Sequence, residues 1–198
     1  VSSSNSDNVS VSLDESNLTI TPSLNYNGES TISITVSEVG GEYQATESFN
    51  VSITAVNDTP TLSTIEEVDF NEDESTSIVL AGNDIDGDVL TYSISGGSNV
   101  SASLDGSSVN FSALGDFNGS ESFTATVSDG DLTASQTFTV TVAAVNDAPI
   151  LSAISDISFN EDGTTSIVLP GTDVDQDALT YSITGNTNII TTISDSLL

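Results

Sequence analysis

The chain has 198 residues and carries 30 Asp and Glu against no Lys, Arg, His or Cys, for a net charge of −30. No ion pair between side chains, no disulfide and no lysine isopeptide cross-link can form, and nucleic-acid binding or attachment to anionic lipid, which need basic residues to neutralise phosphate, are excluded. Repulsion among the acids must be offset by solvent cations or by bound metal, which is the remaining cross-linker for modules this small.

Residues 1–58 open with strand patterns. Ile32-Ser33-Ile34-Thr35-Val36 and Phe49-Asn50-Val51-Ser52 alternate apolar and polar residues, the period of half-buried strands. Both recur further along. Leu24-Asn25-Tyr26-Asn27-Gly28 answers Gly115-Asp116-Phe117-Asn118-Gly119, at an offset of 91 before the loop Val39-Gly40-Gly41-Glu42 and of 89 after it. A two-residue insertion in one hairpin explains the change, so 1–58 is expected to be the C-terminal half of a module.

Residues 59–147 are expected to be a complete module with seven strands, A to G, at about 61–70, 76–80, 89–94, 100–104, 107–112, 120–127 and 136–145. Asp105-Gly106 and Asp129-Gly130 punctuate them as tight turns require. No segment keeps a helical period. Seven short antiparallel strands in so few residues predict an all-β, two-sheet Greek-key sandwich.

Residues 148–198 repeat the front of that module. Asn57-Asp58-Thr59-Pro60 returns 89 residues later as Asn146-Asp147-Ala148-Pro149; Glu72-Asp73 becomes Glu161-Asp162, and Leu90-Thr91-Tyr92-Ser93-Ile94 becomes Leu179-Thr180-Tyr181-Ser182-Ile183. Self-similarity at a fixed period marks an array of repeated units. The third unit is expected to be the N-terminal half of a module. With no initiator Met, sorting signal or apolar run of roughly 18 residues, the chain reads as a piece of a longer polypeptide whose targeting lies elsewhere.

Alternate loops of an antiparallel sandwich gather at opposite ends. The A–B turn, the E–F turn and the exit of strand G share one end, and the B–C and F–G turns share the other, so stacking modules brings acidic faces together. At the second junction the candidate oxygens are Glu72, Asp73, Asp116, Asn146, Asp147, Asp173, Asp175 and Asp177; at the first they are Asn57, Asp58, Asp84, Asp86 and Asp88. Calcium takes six to eight hard oxygen ligands in flexible geometry, which this inventory supplies. Zinc would look for Cys or His.

Val145-Asn146-Asp147-Ala148-Pro149 and Asp84-Ile85-Asp86-Gly87-Asp88-Val89-Leu90-Thr91-Tyr92-Ser93-Ile94 resemble the linker and loop of the cadherin-like tandem repeats in large bacterial surface adhesins. The resemblance spans the chain and implies cadherin/Ig-like modules with calcium at each junction. It assigns ligand roles to Glu72, Asp116, Asn146 with Asp147, and Asp173 with Asp175. Two positions depart from the pattern: Asn25 stands where Asp116 does, and Gln176 replaces Gly87. The first junction also lacks an upstream A–B acid within the chain and is expected to be weaker.

Other readings fit less well. Asp84-X-Asp86-X-Asp88 begins like an EF-hand loop, but Val89 takes the place of the required Gly and Ser95 that of the bidentate Glu. Gly96-Gly97-Ser98-Asn99 does not continue as a nonapeptide calcium repeat. Paired carboxylates do glycosidase chemistry, yet these recur in each module with no aromatic sugar platform, so no enzyme is expected. Tyr26 and Tyr43 are weak candidates for ligand contact at a module tip. The resemblance implies a calcium-rigidified stalk segment at a bacterial cell surface, whose partners are adjoining modules, without nucleic acid or membrane insertion. The alternative is an extracellular filament in which neighbouring chains complete each other's split sandwiches.

Overall fold

The computed structural model describes residues 1–185 and 188–194, and all their regular structure is strand. In the first unit β1 (Ser2–Ser3), β4 (Gly28–Ser37) and β5 (Gln44–Ile53) form one sheet, while β2 (Val9–Asp14) and β3 (Asn17–Pro22) form a hairpin beside it.

The middle unit is a full sandwich. It contains β6 (Thr61–Leu62), β7 (Val68–Asn71), β8 (Ser75–Val79), β9 (Gly82–Asn83), β10 (Thr91–Gly96), β11 (Val100–Asp105), β12 (Ser108–Ala113), β13 (Gly119–Ser128) and β14 (Thr133–Ala143). One sheet runs β10-β13-β14-β7 and the other β11-β12-β8. The expected strand A divides in two. Leu62 pairs with Gly82 on one edge, whereas β7 crosses over and pairs parallel to β14, Val68 facing Val140 and Phe70 facing Val142. The two-residue β9 is too short to leave a periodic trace in the sequence.

Alternation on β13 and β14 sends Phe123, Ala125, Val127, Phe138, Val140 and Val142 inward, where all six are buried. Phe111 of the opposite sheet meets Phe123 and Phe138 edge-on, at centroid distances of 5.2 and 6.0 Å. Burying each such side chain is worth about 1.5–3 kcal/mol. The outward positions are short hydroxyls that bond in cross-strand pairs: Ser120 with Thr141, Thr124 with Thr137, and Thr126 with Ser135. That face carries little charge, and many of the acids sit at the ends.

The third unit contributes β15 (Ile150–Leu151) and β16 (Gly171–Thr172), paired as β6 and β9 are. Residues 157–160 and 164–168 match β7 and β8 in sequence but form no strand. In the middle unit those strands lie against β14 and β12, and a strand without a partner leaves its backbone groups to water.

Candidate metal centre

The second junction is built around a buried acid. Glu72 follows Val68 and Phe70 at two-residue steps, so the pleat turns its carboxylate inward and leaves the residue 2% exposed. Its Oε1 accepts the N–H of Val145 at 2.6 Å, and its own N–H bonds Ala143 O at 3.0 Å. Oε2 is buried with no hydrogen-bond partner. Leaving a buried acceptor unsatisfied costs about 1–3 kcal/mol, and more when it is charged.

Asp147, on the linker, ties the next unit to this acid. Its N–H donates to Asp175 Oδ2 at 2.7 Å, and its Oδ2 is a second buried oxygen without a partner. Glu72, Asp147 and Asp175 bring one carboxylate oxygen each within 4.8 Å of one another, and so do Asp73, Asp116 and Asp147. Asp147 belongs to both groups. Burial, and then the charges of Asp116, Asp73, Asp175 and Glu72, push its carboxyl above the ordinary aspartate value.

The turns that present these acids are left-handed. Asp73 and Asp116 have φ of 61° and 59°, a region that Asp tolerates because its short side chain bonds locally. In the third unit Asp173 Oδ1 accepts the N–H groups of Asp175 and Asp177 at 3.0 and 3.2 Å, fixing that loop. Asp173 and Asp177 lie outside the clustered groups found among the described residues. Asn146 spends its side-chain amide on Asp147 O.

The first junction uses the same loop with fewer acids. Asp84 Oδ1 accepts from Asp86 and Asp88, and Asp58 N–H donates to Asp86 Oδ2 at 2.8 Å. Asp84, Asp86 and Asp88 form a third group of oxygens, and Asp84 Oδ2 is buried without a partner. Asn57 instead donates its side-chain amide to Asp129 Oδ2 at 3.0 Å. Asp129 also accepts from Leu132 and Asp131, and these bonds, led by that from Leu132, hold its carboxyl below the ordinary value. Its role as an anchor was not expected from sequence, although its place in the F–G turn pointed to that end of the module.

Glu121 is another acid that sequence reasoning passed over as scattered surface charge. It accepts backbone N–H groups from Ser98, Asn99 and Val100 and the side-chain amide of Asn99. The signal was parity: Glu121 shares the face of Phe123, Ala125 and Val127. Beside it, a Cβ on Gly97 would collide with Val100 O and the Phe123 ring, so this turn admits only glycine there.

Residues 57–141 match the family described as Bacterial Ig domain. No curated protein matches the chain. Among solved structures, human protocadherin-24 EC1-2 is 25% identical with a TM-score of 0.40, over 49% of this chain and 50% of that one. The surface layer protein SbsC, domains 1–6, is 17% identical with a TM-score of 0.38, over 76% of this chain and 21% of that one. An endo-fucoidan hydrolase from glycoside hydrolase family 107 is 19% identical with a TM-score of 0.38, over 73% of this chain and 24% of that one. The chain thus spans about a quarter of the hydrolase's length and half of the protocadherin fragment's.

Proposed function

We propose that this chain is a calcium-stiffened stalk segment of a long, repetitive extracellular protein that carries an adhesive tip away from a bacterial cell. The units are the half-module 1–58, the complete module 59–147 and the half-module 148–198, each the neighbour and partner of the next. No enzymatic role is assigned to the chain.

The observation that carries this reading is the unpartnered, buried Oε2 of Glu72, on a carboxylate that brings an oxygen within 4.8 Å of oxygens of Asp147 on the linker and Asp175 in the following unit. The sequence holds no basic side chain that could answer it. Glu72, Asp73, Asp116, Asp147 and Asp175 would hold the cation, while Asp173 fixes the loop that carries Asp175 and Asp177 and Asn146 braces the linker at Asp147. Hard carboxylate and amide oxygens suit calcium. When bound, the ion supplies positive charge between two acidic faces; the residues themselves orient the linker, through Asp147 N–H on Asp175, and seat Glu72 against Val145. The first junction offers Asn57, Asp58, Asp84, Asp86 and Asp88, with Asn25 at the position that Asp116 holds in the second.

Calorimetric titration with calcium tests this directly. Binding in the range of extracellular modules, on the order of 10⁻⁴–10⁻³ M, is expected, and it should weaken when Glu72 is changed to Gln. Absence of calcium binding at millimolar concentrations overturns the reading.

A further inference from the structure

We propose that the segment from Ile65 to Glu72 and strand β14 form a shear clamp that keeps the complete module folded when the chain is under tension. The module is entered through Pro60, ahead of β7, and left through Val145, after β14, and those two strands run parallel. Tension through the linkers therefore pulls β7 back by its N-terminal end and β14 forward by its C-terminal end. The rungs between them, evenly spaced in a parallel pair, are strained together rather than opened one at a time.

Strand β6 precedes β7 and meets the tension first. It is held to β9 by two residue pairs, Thr61 with Asn83 and Leu62 with Gly82, against four pairs between β7 and β14. Sliding β7 also drags Val68 and Phe70, 7% and 8% exposed, out of the core, whereas β6 brings only the half-buried Leu62. The β7–β14 ladder thus decides when the module opens.

Side chains lengthen this ladder at both ends. Upstream, Gln136 of β14 takes both backbone groups of Ile65: its Oε1 accepts the N–H at 3.2 Å and its Nε2 donates to the C=O at 3.5 Å. An amide side chain can do this because it carries an acceptor and a donor, as a peptide group does. Gln136 shares the inward parity of Phe138, which turns its amide toward the crossing segment. Downstream, the Glu72 N–H bonds Ala143 O at 3.0 Å, and Glu72 Oε1 accepts the N–H of Val145 at 2.6 Å. Four ladder pairs become a seam that runs from Ile65 to Glu72.

Glu72 is at once the last hold of this seam and the buried acid of the second junction. An ion on its unpartnered Oε2 would tie the end of the seam to Asp147, so calcium would raise the force that the module withstands. That share of the inference rests on the calcium reading above; the seam does not.

Single-molecule force spectroscopy of residues 1–198 tests it, first in chelator. The chain has no Cys, so handles attach only at introduced pairs. Thr59→Cys with Ala148→Cys loads the seam in shear, whereas Thr59→Cys with Asp131→Cys draws β7 and β14 apart from the same end. Forced unfolding follows the unfolding barrier, and sharing the load among all rungs should make the first geometry at least about twice as strong as the second at one pulling speed. Gln136→Leu, which keeps the volume and loses both bonds to Ile65, should lower the force in the first geometry. Glu121→Gln, which loosens the turn at 98–100 away from β7, should lower the melting temperature and leave that force unchanged. Equal forces in the two geometries, no effect of Gln136→Leu, or an equal loss of force in Glu121→Gln overturns the proposal. In millimolar calcium the shear force should rise, and Glu72→Gln should abolish the rise. A geometry contrast present in chelator with no rise in calcium upholds the seam and removes the metal's share in it.

Discussion

Asp147 donates its backbone N–H to Asp175 Oδ2 at 2.7 Å, as Asp58 does to Asp86 Oδ2 at 2.8 Å one repeat earlier. The linker is thereby seated on the next module by its own backbone. Asp175→Ala should remove this acceptor and cost the junction about 1–3 kcal/mol. Amide hydrogen exchange is the readout: Asp147 should exchange faster in the variant, and Asp58 should be unchanged. Equal protection of Asp147 in both proteins would remove the bond from the account.

Glu72→Gln should have opposite signs in two buffers. In chelator the change removes a buried charge from beside Asp147 and Asp175 while Gln Oε1 still accepts from Val145, so the variant should melt higher. In calcium it removes a ligand. Binding adds RT ln(1 + [L]/Kd) to stability, so at millimolar calcium a site of the expected affinity adds about 0.4–1.4 kcal/mol, and the variant should lose most of that increment. The same sign in both buffers would mean that Glu72 is simply a packed acid.

Glu121 gives the chain an acid-labile anchor. The N–H of Asn99, then those of Ser98 and Val100 and the Asn99 amide, hold its carboxyl below the ordinary 4.5, against burial, which raises it. A depressed folded-state pKa contributes stability above the unfolded value and loses it as pH falls through the folded one. Glu121→Gln should therefore cost about 1.5 kcal/mol at neutral pH, the low end for bonds to a charged group because the carboxylate is partly exposed. The gap from wild type, followed by denaturant melts, should close below pH 4.5. A gap independent of pH would assign the effect to shape rather than charge.

The strands and the acidic ends were legible because both are local. Period-two alternation reports burial directly, and turn acids such as Asp84 and Asp116 fall between strands by necessity. The crossover that splits strand A was not legible, since Leu62, Ile65, Val68 and Phe70 read as one apolar run until the parallel pairing of β7 with β14 is seen. Glu72 was found as a turn residue, but its burial follows from parity with Phe70. Glu121 and Asp129 were missed because their partners are backbone N–H groups, which every sequence contains.

Gln176 stands in the place of Gly87, and both backbones are left-handed, with φ of 64° and 83°. A side chain there costs roughly 1–2 kcal/mol that Gly avoids. Gln176→Gly should relax the loop that presents Asp175 and tighten calcium at the second junction by roughly fivefold, the equivalent of about 1 kcal/mol. Calcium titration of the two chains decides this, and unchanged affinity would show that the loop is held equally well with its strain.

Shape is the last and most direct consequence, because length is what a stalk provides. Pro60 and Pro149 fix φ at one position in each linker, which limits local freedom without setting the angle between modules. In chelator that angle is left to the Asp58–Asp86 and Asp147–Asp175 bonds, opposed by repulsion among Glu72, Asp73, Asp116, Asp147 and Asp175. Monovalent salt screens such repulsion beyond about 8 Å at physiological strength, but it does not join the two faces. Small-angle scattering from a chain of three complete modules should therefore show a longer and narrower distribution of maximum dimensions in calcium than in chelator at equal ionic strength. Superimposable curves would leave the junction acids as solvated surface and remove the mechanical role.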